Sequence, residues 1–336
     1  MSQKLCVTSE NIPTILKHLT AMIPKGDTAV NMTIKIANGG LYFICRSNIW
    51  YKASLGKVNA SDFSLTVRYY DLSALFKSDS KLDIELFDTY VQISTDNATV
   101  TLDAAYDFED LDFEIDISEE LNKVNKETAF DMLRSFLQTT AIFNLYKTEH
   151  PYQVYNNIIL LKTPSIWFQG RCELNLNASI TVTMLRTLLQ LEPGYYYTKD
   201  KSLYITDKFY IGVIPIQPLV EQNNFTEILD GISEPVTIDT GNFAETLNTI
   251  IKIKPPIMEV AVYDNGMSIT ASTPECSIKN KIGMCDNVKF ICKIPPELLQ
   301  IVFKLLHNNT TAQILYKKGI ICYRNKQIVI LIRVIS

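Results

Sequence analysis

One pattern, helix then hairpin and strands, is written three times along this chain, and that repetition limits the folds open to it. The first copy opens with Ser9–Ile23, whose Ile12, Ile15, Leu16, Leu19 and Ile23 recur at helical spacing behind Thr8 or Ser9 as N-cap. Alternating runs Met32–Ile36 and Leu41–Cys45 flank Asn38-Gly39-Gly40, a hairpin signature. Strand-like Ile49–Ser54 and Phe63–Val67 lead to a second helix, Tyr70–Lys77, and then to strands Leu82–Phe87, Val91–Ser94 and Ala98–Leu102. The order restarts at Asn125–Leu137. There the hairpin is expected from Asn157–Leu161 and Ile166–Gln169, turning at 162–165, before the helix Val182–Leu191 and strands Tyr195–Thr198, Leu203–Thr206 and Phe209–Pro215. The third copy opens at Asp239–Ile251, with hairpin runs Val260–Tyr263 and Met267–Ala271 turning at Asp264-Asn265-Gly266. Its second helix is Ile294–His307, where Pro295 and Pro296 set the first turn and Glu297 suits the positive end of the helix dipole. Strands Thr311–Tyr316 and Ile320–Val334 close the chain.

The register supports a true repeat. Leu16, Leu133 and Leu247 hold one place in the first helix of each copy, 117 and 114 residues apart. Leu72, Leu185 and Leu299 hold one place in the second helix, 113 and 114 apart. The fold class read from this is α+β: three tandem domains at 1–118, 119–234 and 235–336, each with two helices packed on antiparallel sheets.

With 336 residues and 47 % hydrophobic content the chain can build ample core. No apolar run approaches the ~18 residues of a membrane span, and the first residues do not read as a signal peptide. Seven scattered cysteines without a C-x-x-C pair read as reduced, buried thiols of an intracellular protein. No phosphate-binding glycine loop, zinc-protease or nucleophile-elbow motif occurs, so the sequence offers neither catalytic residues nor a cofactor or metal site. His18 and His307 are placed at helix C-termini and His150 in a loop. The net charge of −4 divides unevenly: residues 1–118 carry 10 basic and 16 acidic side chains, 119–234 carry 10 and 13, and 235–336 carry 12 and 7. A uniform nucleic-acid coat is excluded and a local basic surface is not. The acidic run Asp107–Asp116 alternates charged and apolar residues, as an edge strand with a solvated face would.

Three consecutive domains of this length and element order resemble the bacterial DNA polymerase III β subunit, the sliding clamp. The resemblance spans nearly the whole chain but rests on architecture and hydrophobic pattern. Its nearest motifs are the C-terminal Ile330-Leu-Ile-Arg-Val334, where the family ends in Met-Pro-Met-Arg-Leu, and Trp167-Phe-Gln-Gly-Arg171, which keeps the Gly and the Arg of a Thr-Asp-Gly-His-Arg run. These departures suit a divergent clamp, such as one encoded by a phage.

The resemblance implies a ring closed head to tail by two copies around double-stranded DNA. Such a ring is a cytoplasmic processivity factor that serves a DNA polymerase and is placed by a clamp loader, with no enzymatic activity. It implies DNA-facing cations on the helices, for which the candidates are Lys17, Arg68, Lys77, Lys126, Arg134, Arg186, Lys252, Lys254 and Lys304. It also implies a partner-peptide pocket formed by Trp167, Gly170, Arg171, Ile211, Pro215, Ile330, Leu331 and Ile332. Strand parity places Ile330 and Ile332 in the core and leaves Leu331 as the exposed contact. Two other readings stay open: a three-domain β-rich structural or adaptor protein, for example of a virion, and a hydrolase.

Overall fold

The computed structural model describes residues 3–23, 30–47, 49–69, 81–105, 120–141, 143, 150–219, 231–306 and 311–334. The helix expected at Tyr70–Lys77, with Lys77 and Leu72, lies outside these residues, as do the acidic run Asp107–Asp116 and His307. The chain divides into two compact units. The first comprises residues 1–126 and 183–217, the second 127–182 and 218–336, so the middle repeat is shared between them.

The first unit holds two antiparallel sheets. One has the order β1 (Gln3–Thr8), β6 (Lys81–Leu86), β7 (Tyr90–Ser94), β8 (Thr99–Asp103). The other runs β5 (Phe63–Tyr69), β2 (Val30–Ala37), β3 (Gly40–Arg46), β4 (Trp50–Lys57), β16 (Tyr210–Pro215), β15 (Ser202–Asp207), β14 (Tyr195–Lys199), β9 (Asn122–Lys123). Helices α1 (Ile12–Ala21) and α3 (Val182–Leu191) belong to this unit except for Val182. The β2–β3 hairpin turns as its sequence requires. Asn38 and Gly39 both have positive φ (52° and 70°), the pairing of residue and conformation that an Asn-Gly turn favours.

The second unit carries a nine-stranded sheet. Its order is β17 (Gln217–Pro218), β13 (Ala178–Ile180), β10 (Tyr152–Tyr155), β11 (Ile158–Lys162), β12 (Ile166–Arg171), β23 (Ile328–Arg333), β22 (Ile320–Arg324), β21 (Thr311–Lys317), β18 (Val236–Asp239). Beside it are the long paired strands β19 (Met258–Ser272) and β20 (Ser277–Ile294) and the helices α2 (Lys126–Leu137), α4 (Thr240–Ile251) and α5 (Pro296–Leu306). The pairing of β19 with β20 shifts register around Tyr263–Asn265. Tyr263 Oη also lies 3.3 Å from Ser268 Oγ, five residues on, which a straight strand at ~3.3 Å per residue could not bring together. The chain therefore folds back at Asp264–Gly266, as the sequence suggests.

Leu16, Leu133, Leu247, Leu185 and Leu299 are all at most 1 % exposed, so the repeated register marks the buried stripe of each described helix. Several details differ from the sequence reading. Each copy begins with a strand, β1, β9 or β18, before its first helix. In the middle copy the turn that corresponds to Asn38-Gly39 is Asn156-Asn157 (φ 48° and 62°), between β10 and β11; the hairpin expected at 162–165 is the next one along. Helix α1 starts after Asn11 rather than at Ser9, whose hydroxyl accepts from the Asn11 N–H. Asp239 is a true cap, accepting from Asn242 N at 2.7 Å. Of the cysteines, Cys45, Cys172, Cys292 and Cys322 are buried, while Cys6 and Cys276 are exposed.

His18 lies in the last turn of α1, as its sequence position suggests, but it is 3 % exposed within an aromatic cluster rather than solvated at the helix end. Its Nδ1 meets Tyr51 Oη at 3.0 Å, and its ring stacks on Phe209 and stands edge-on to Tyr210. Burial pushes its pKa down to about 4, helped by the positive charge of Lys17 and opposed by Asp207. The folded state thus prefers neutral His18, and the unfolded chain takes up its proton first. The stabilisation is complete above the unfolded value near 6.5 and is lost as pH falls through about 4, up to roughly 3 kcal/mol. Replacing His18 by Gln, which can still bond Tyr51 but does not titrate, should flatten the fall in urea midpoint between pH 7 and pH 4 relative to the parent protein.

Candidate functional site

The predicted cations are all exposed where they are described, but they sit in different settings. Lys17 stands on α1 and Arg186 on α3, both in the first unit. Arg186 opens onto a hollow of about 430 Å³ shared with Thr20, Ser47, Thr183, Thr187 and Gln190. Lys126, the first residue of α2, reaches Asp207 at 3.3 Å. Arg134 bonds Asp131 one turn back on α2 at 2.9 Å. Lys252 caps α4, and Lys254 follows in the left-handed region (φ 48°), its N–H closing on Ile251 O. Both therefore lie where the helix dipole favours a cation. Lys304 is in the last turn of α5. Arg68 is not on a helix: it lies near the end of strand β5.

These helix faces carry both signs. Glu127 and Asp131 share the exposed side of α2 with Lys126 and Arg134, Glu245 is exposed on α4, and Glu297 on α5. Exposed pairs such as Lys126–Asp207 contribute about 1 kcal/mol or less.

Strand parity divides the predicted pocket in two. On β12, Ile166, Phe168 and Gly170 face the helices, opposite Ile332, Ile330 and Ile328 of β23. Ile330 and Ile332 are fully buried there. Gly170 is part of that packing: a Cβ on it would stand 2.5 Å from Met132 Sδ and 2.7 Å from Phe136 Cε2 of α2. Trp167 and Arg171 point to the opposite face. Trp167 pairs across the ladder with Leu331 and joins Leu160, Leu315, Cys322 and Leu331 in a second apolar cluster, against which Tyr155, Ile232, Ile320 and Val329 pack. Leu331 has the parity expected of it but is 4 % exposed, because this cluster and Ile232 from the preceding connection cover it.

Trp167 is held in place. Its Nε1 donates to Thr163 O at 3.0 Å, and Lys162 Nζ and Arg333 Cζ lie 4.5 and 5.7 Å from its ring. Arg171 is exposed on the same face. Ile211, half-buried, and Pro215, exposed, belong to β16 of the first unit.

The sequence reading overlooked the strand edges. Within the first unit β4 joins β16, with Trp50 opposite Val213. Within the second, β12 joins β23, with Trp167 opposite Leu331. Each joining tryptophan lies under a cation from the neighbouring strand: Arg46 Cζ is 4.4 Å from the Trp50 ring, as Lys162 is over Trp167. In the last copy the corresponding stretch is Ser277–Met284 of β20. It begins with Ser277 bonded to Ser272 at 2.8 Å, and its far edge has no strand partner among the described residues. Gly170→Ala should lower stability by about 1–3 kcal/mol in urea unfolding, because the buried Phe136 ring must move to admit the methyl group.

No protein-family model and no curated protein sequence matches the chain. Solved structures do. A Helicobacter pylori β clamp bound to a DNA ligase peptide superposes with a TM-score of 0.73 at 12 % identity, over 99 % of this chain and 100 % of that one. The DNA polymerase III β subunit of Thermotoga maritima gives 0.75 at 9 % identity, and the DNA polymerase sliding clamp of Bacillus subtilis 0.76 at 10 %, both over the full length of each chain. The chain has the fold of the bacterial sliding clamps.

Proposed function

We propose that this chain is a DNA sliding clamp: three repeats, at 1–118, 119–234 and 235–336, of which two copies close head to tail around duplex DNA as a non-enzymatic processivity factor. The observation that carries this reading is the set of strand edges. Two joins of one register, Trp50 with Val213 and Trp167 with Leu331, link successive repeats inside the chain. Among the described residues, the stretches that hold the same places in their repeats but lack such a join are Ser277–Met284 in the last repeat and β8 in the first, whose Thr99–Asp103 pairs only with β7 as a named strand. Applying the internal register to this third pair places Ser277 opposite Thr101, Ile278 opposite Val100 and Lys279 opposite Thr99. A heterologous contact of this kind closes a ring when its rotation allows, and it covers edges that would otherwise invite aggregation. The acidic first third then meets the basic last third.

In this reading the helices face the hole, and Lys17, Arg134, Arg186, Lys252, Lys254 and Lys304 meet phosphates weakly enough to slide. A polymerase or loader peptide docks beside Trp167, Arg171 and the last strand. Cytoplasmic replication, in a bacterium or a phage-infected cell, is the setting.

Two experiments test it. Ser277→Cys with Thr101→Cys, in a Cys6→Ser, Cys276→Ser background, should give an oxidised dimer that neither single variant forms, since directly opposite residues meet the Cα spacing a disulfide needs. A protein that is monomeric by light scattering at micromolar concentration in low and high salt, and does not cross-link, is not a self-closing ring. Reversing Lys17, Arg134 and Lys252 together to Glu should leave the fold intact and shorten retention on circular DNA, with a shallower salt dependence than that of the parent protein because fewer phosphates are neutralised. Retention equal to that of the parent protein would remove these helices from the hole.

A further inference from the structure

The geometry points to a phosphate-binding pocket on the second unit, at the open end of the β18–β21–β22 ladder, recognising a phosphorylated small molecule of nucleotide size. The pocket holds about 470 Å³, inside the ~300–1,000 Å³ usual for small-ligand sites, and is lined by Thr237, Thr311, Gln313, Arg324, Asn325 and Lys326. Register builds it. Thr237 of β18 is opposite Gln313 of β21, and Gln313 is opposite Arg324 of β22, so these three form one row across the sheet. Thr311 begins the next row, and Lys326 follows Arg324 in the turn to β23.

The polar groups are donors with few competitors. Arg324 Nε donates to Gln313 Oε1 at 2.8 Å, which fixes the guanidinium and leaves its two terminal nitrogens without a partner among the described residues. Lys326 has no ion pair among them. Asn325 Oδ1 accepts from Gln327 N and Ile328 N, both at 2.8 Å, so its orientation is set and its Nδ2 is buried with no acceptor. No acidic residue lines the pocket. The nearest in register, Asp239 opposite Thr311, has Oδ1 engaged by Asn242 N as the cap of α4.

A guanidinium fixed by Gln313, two threonine hydroxyls on paired strands, and a lysine and an unmet amide donor in the adjoining turn match a dianion with several acceptor oxygens. A planar fork such as Arg324 offers paired donors that a lone ammonium does not. The pocket depends on none of the edges or helix faces assigned to ring closure and DNA.

Calorimetric titration with inorganic phosphate and, separately, with a deoxynucleoside monophosphate tests this, using the full-length chain in buffer of constant ionic strength. Saturable binding of either is expected, weakened tenfold or more by Arg324→Gln with Lys326→Gln. Tighter binding of the monophosphate would show that the nucleoside also makes contact. Lys326→Gln alone removes a side chain with no partner to lose, and should weaken binding even if Arg324→Gln loosens the hairpin. No heat from either ligand, equal affinity in the variants, or the same apparent effect from sodium chloride at matched ionic strength would overturn the proposal.

Discussion

Backbone pairing between strands far apart in sequence is the constraint on which the rest of the structure depends. An unpaired strand edge presents a row of donors and acceptors that must find either water or another strand. In this chain β4 and β12 find theirs in β16 and β23, and the sheets thereby run on from one repeat into the next. The division into two compact units follows from that continuity: the middle repeat gives four of its nine strands to the eight-stranded sheet and five to the nine-stranded one. A tryptophan under a cation marks both joins, covering the ladder with apolar area where it would otherwise be open to solvent. At the third position two serine hydroxyls bond one another instead, and that edge is correspondingly polar.

Most of the architecture was legible because it rests on local periodicity. Helical stripes through Leu16, Leu133 and Leu247, and the Asn38-Gly39 turn, are properties of short stretches of sequence. What was missed depends on partners elsewhere in the chain. Strand β9 is two residues long and has no alternation to read; it is a strand because β14 accepts it. Asn156-Asn157 lacks the glycine that makes a hairpin turn conspicuous, yet both residues adopt the left-handed conformation asparagine tolerates. The place of His18 in the last turn of α1 was legible, but its burial was not, because Tyr51, Phe209 and Tyr210 supply it from 33 or more residues away.

The candidate site was less legible than the fold. Parity separated Leu331 from Ile330 and Ile332 correctly, but exposure is not a property of parity. Ile232 and the cross-strand neighbours of Leu331 decide it. Gly170 reads in sequence as a remnant of a binding motif, whereas its lack of a side chain lets α2 lie close against β12. The cationic residues are exposed where they are described, and acids such as Glu127, Asp131, Glu245 and Glu297 are exposed on the same helices, so the sequence pattern alone does not single out a cationic face.

The long reach of the joining strands also sets a schedule. Trp50 and Val213, like Trp167 and Leu331, are separated by roughly 160 residues. As the chain leaves the ribosome, β2, β3 and β4 can pair among themselves early, but the open edge of β4 must wait until β16 has been made. The same delay recurs for β12, whose partner β23 comes almost at the end of synthesis. Until β23 is made the nascent chain displays at least one unsatisfied joining edge, and two between the completion of β12 and that of β16, so its exposure to wrong pairing is governed by translation speed as much as by final stability. A pause between residues 171 and 210 would hold both joining edges open, whereas one between 216 and 327 would hold open only that of β12.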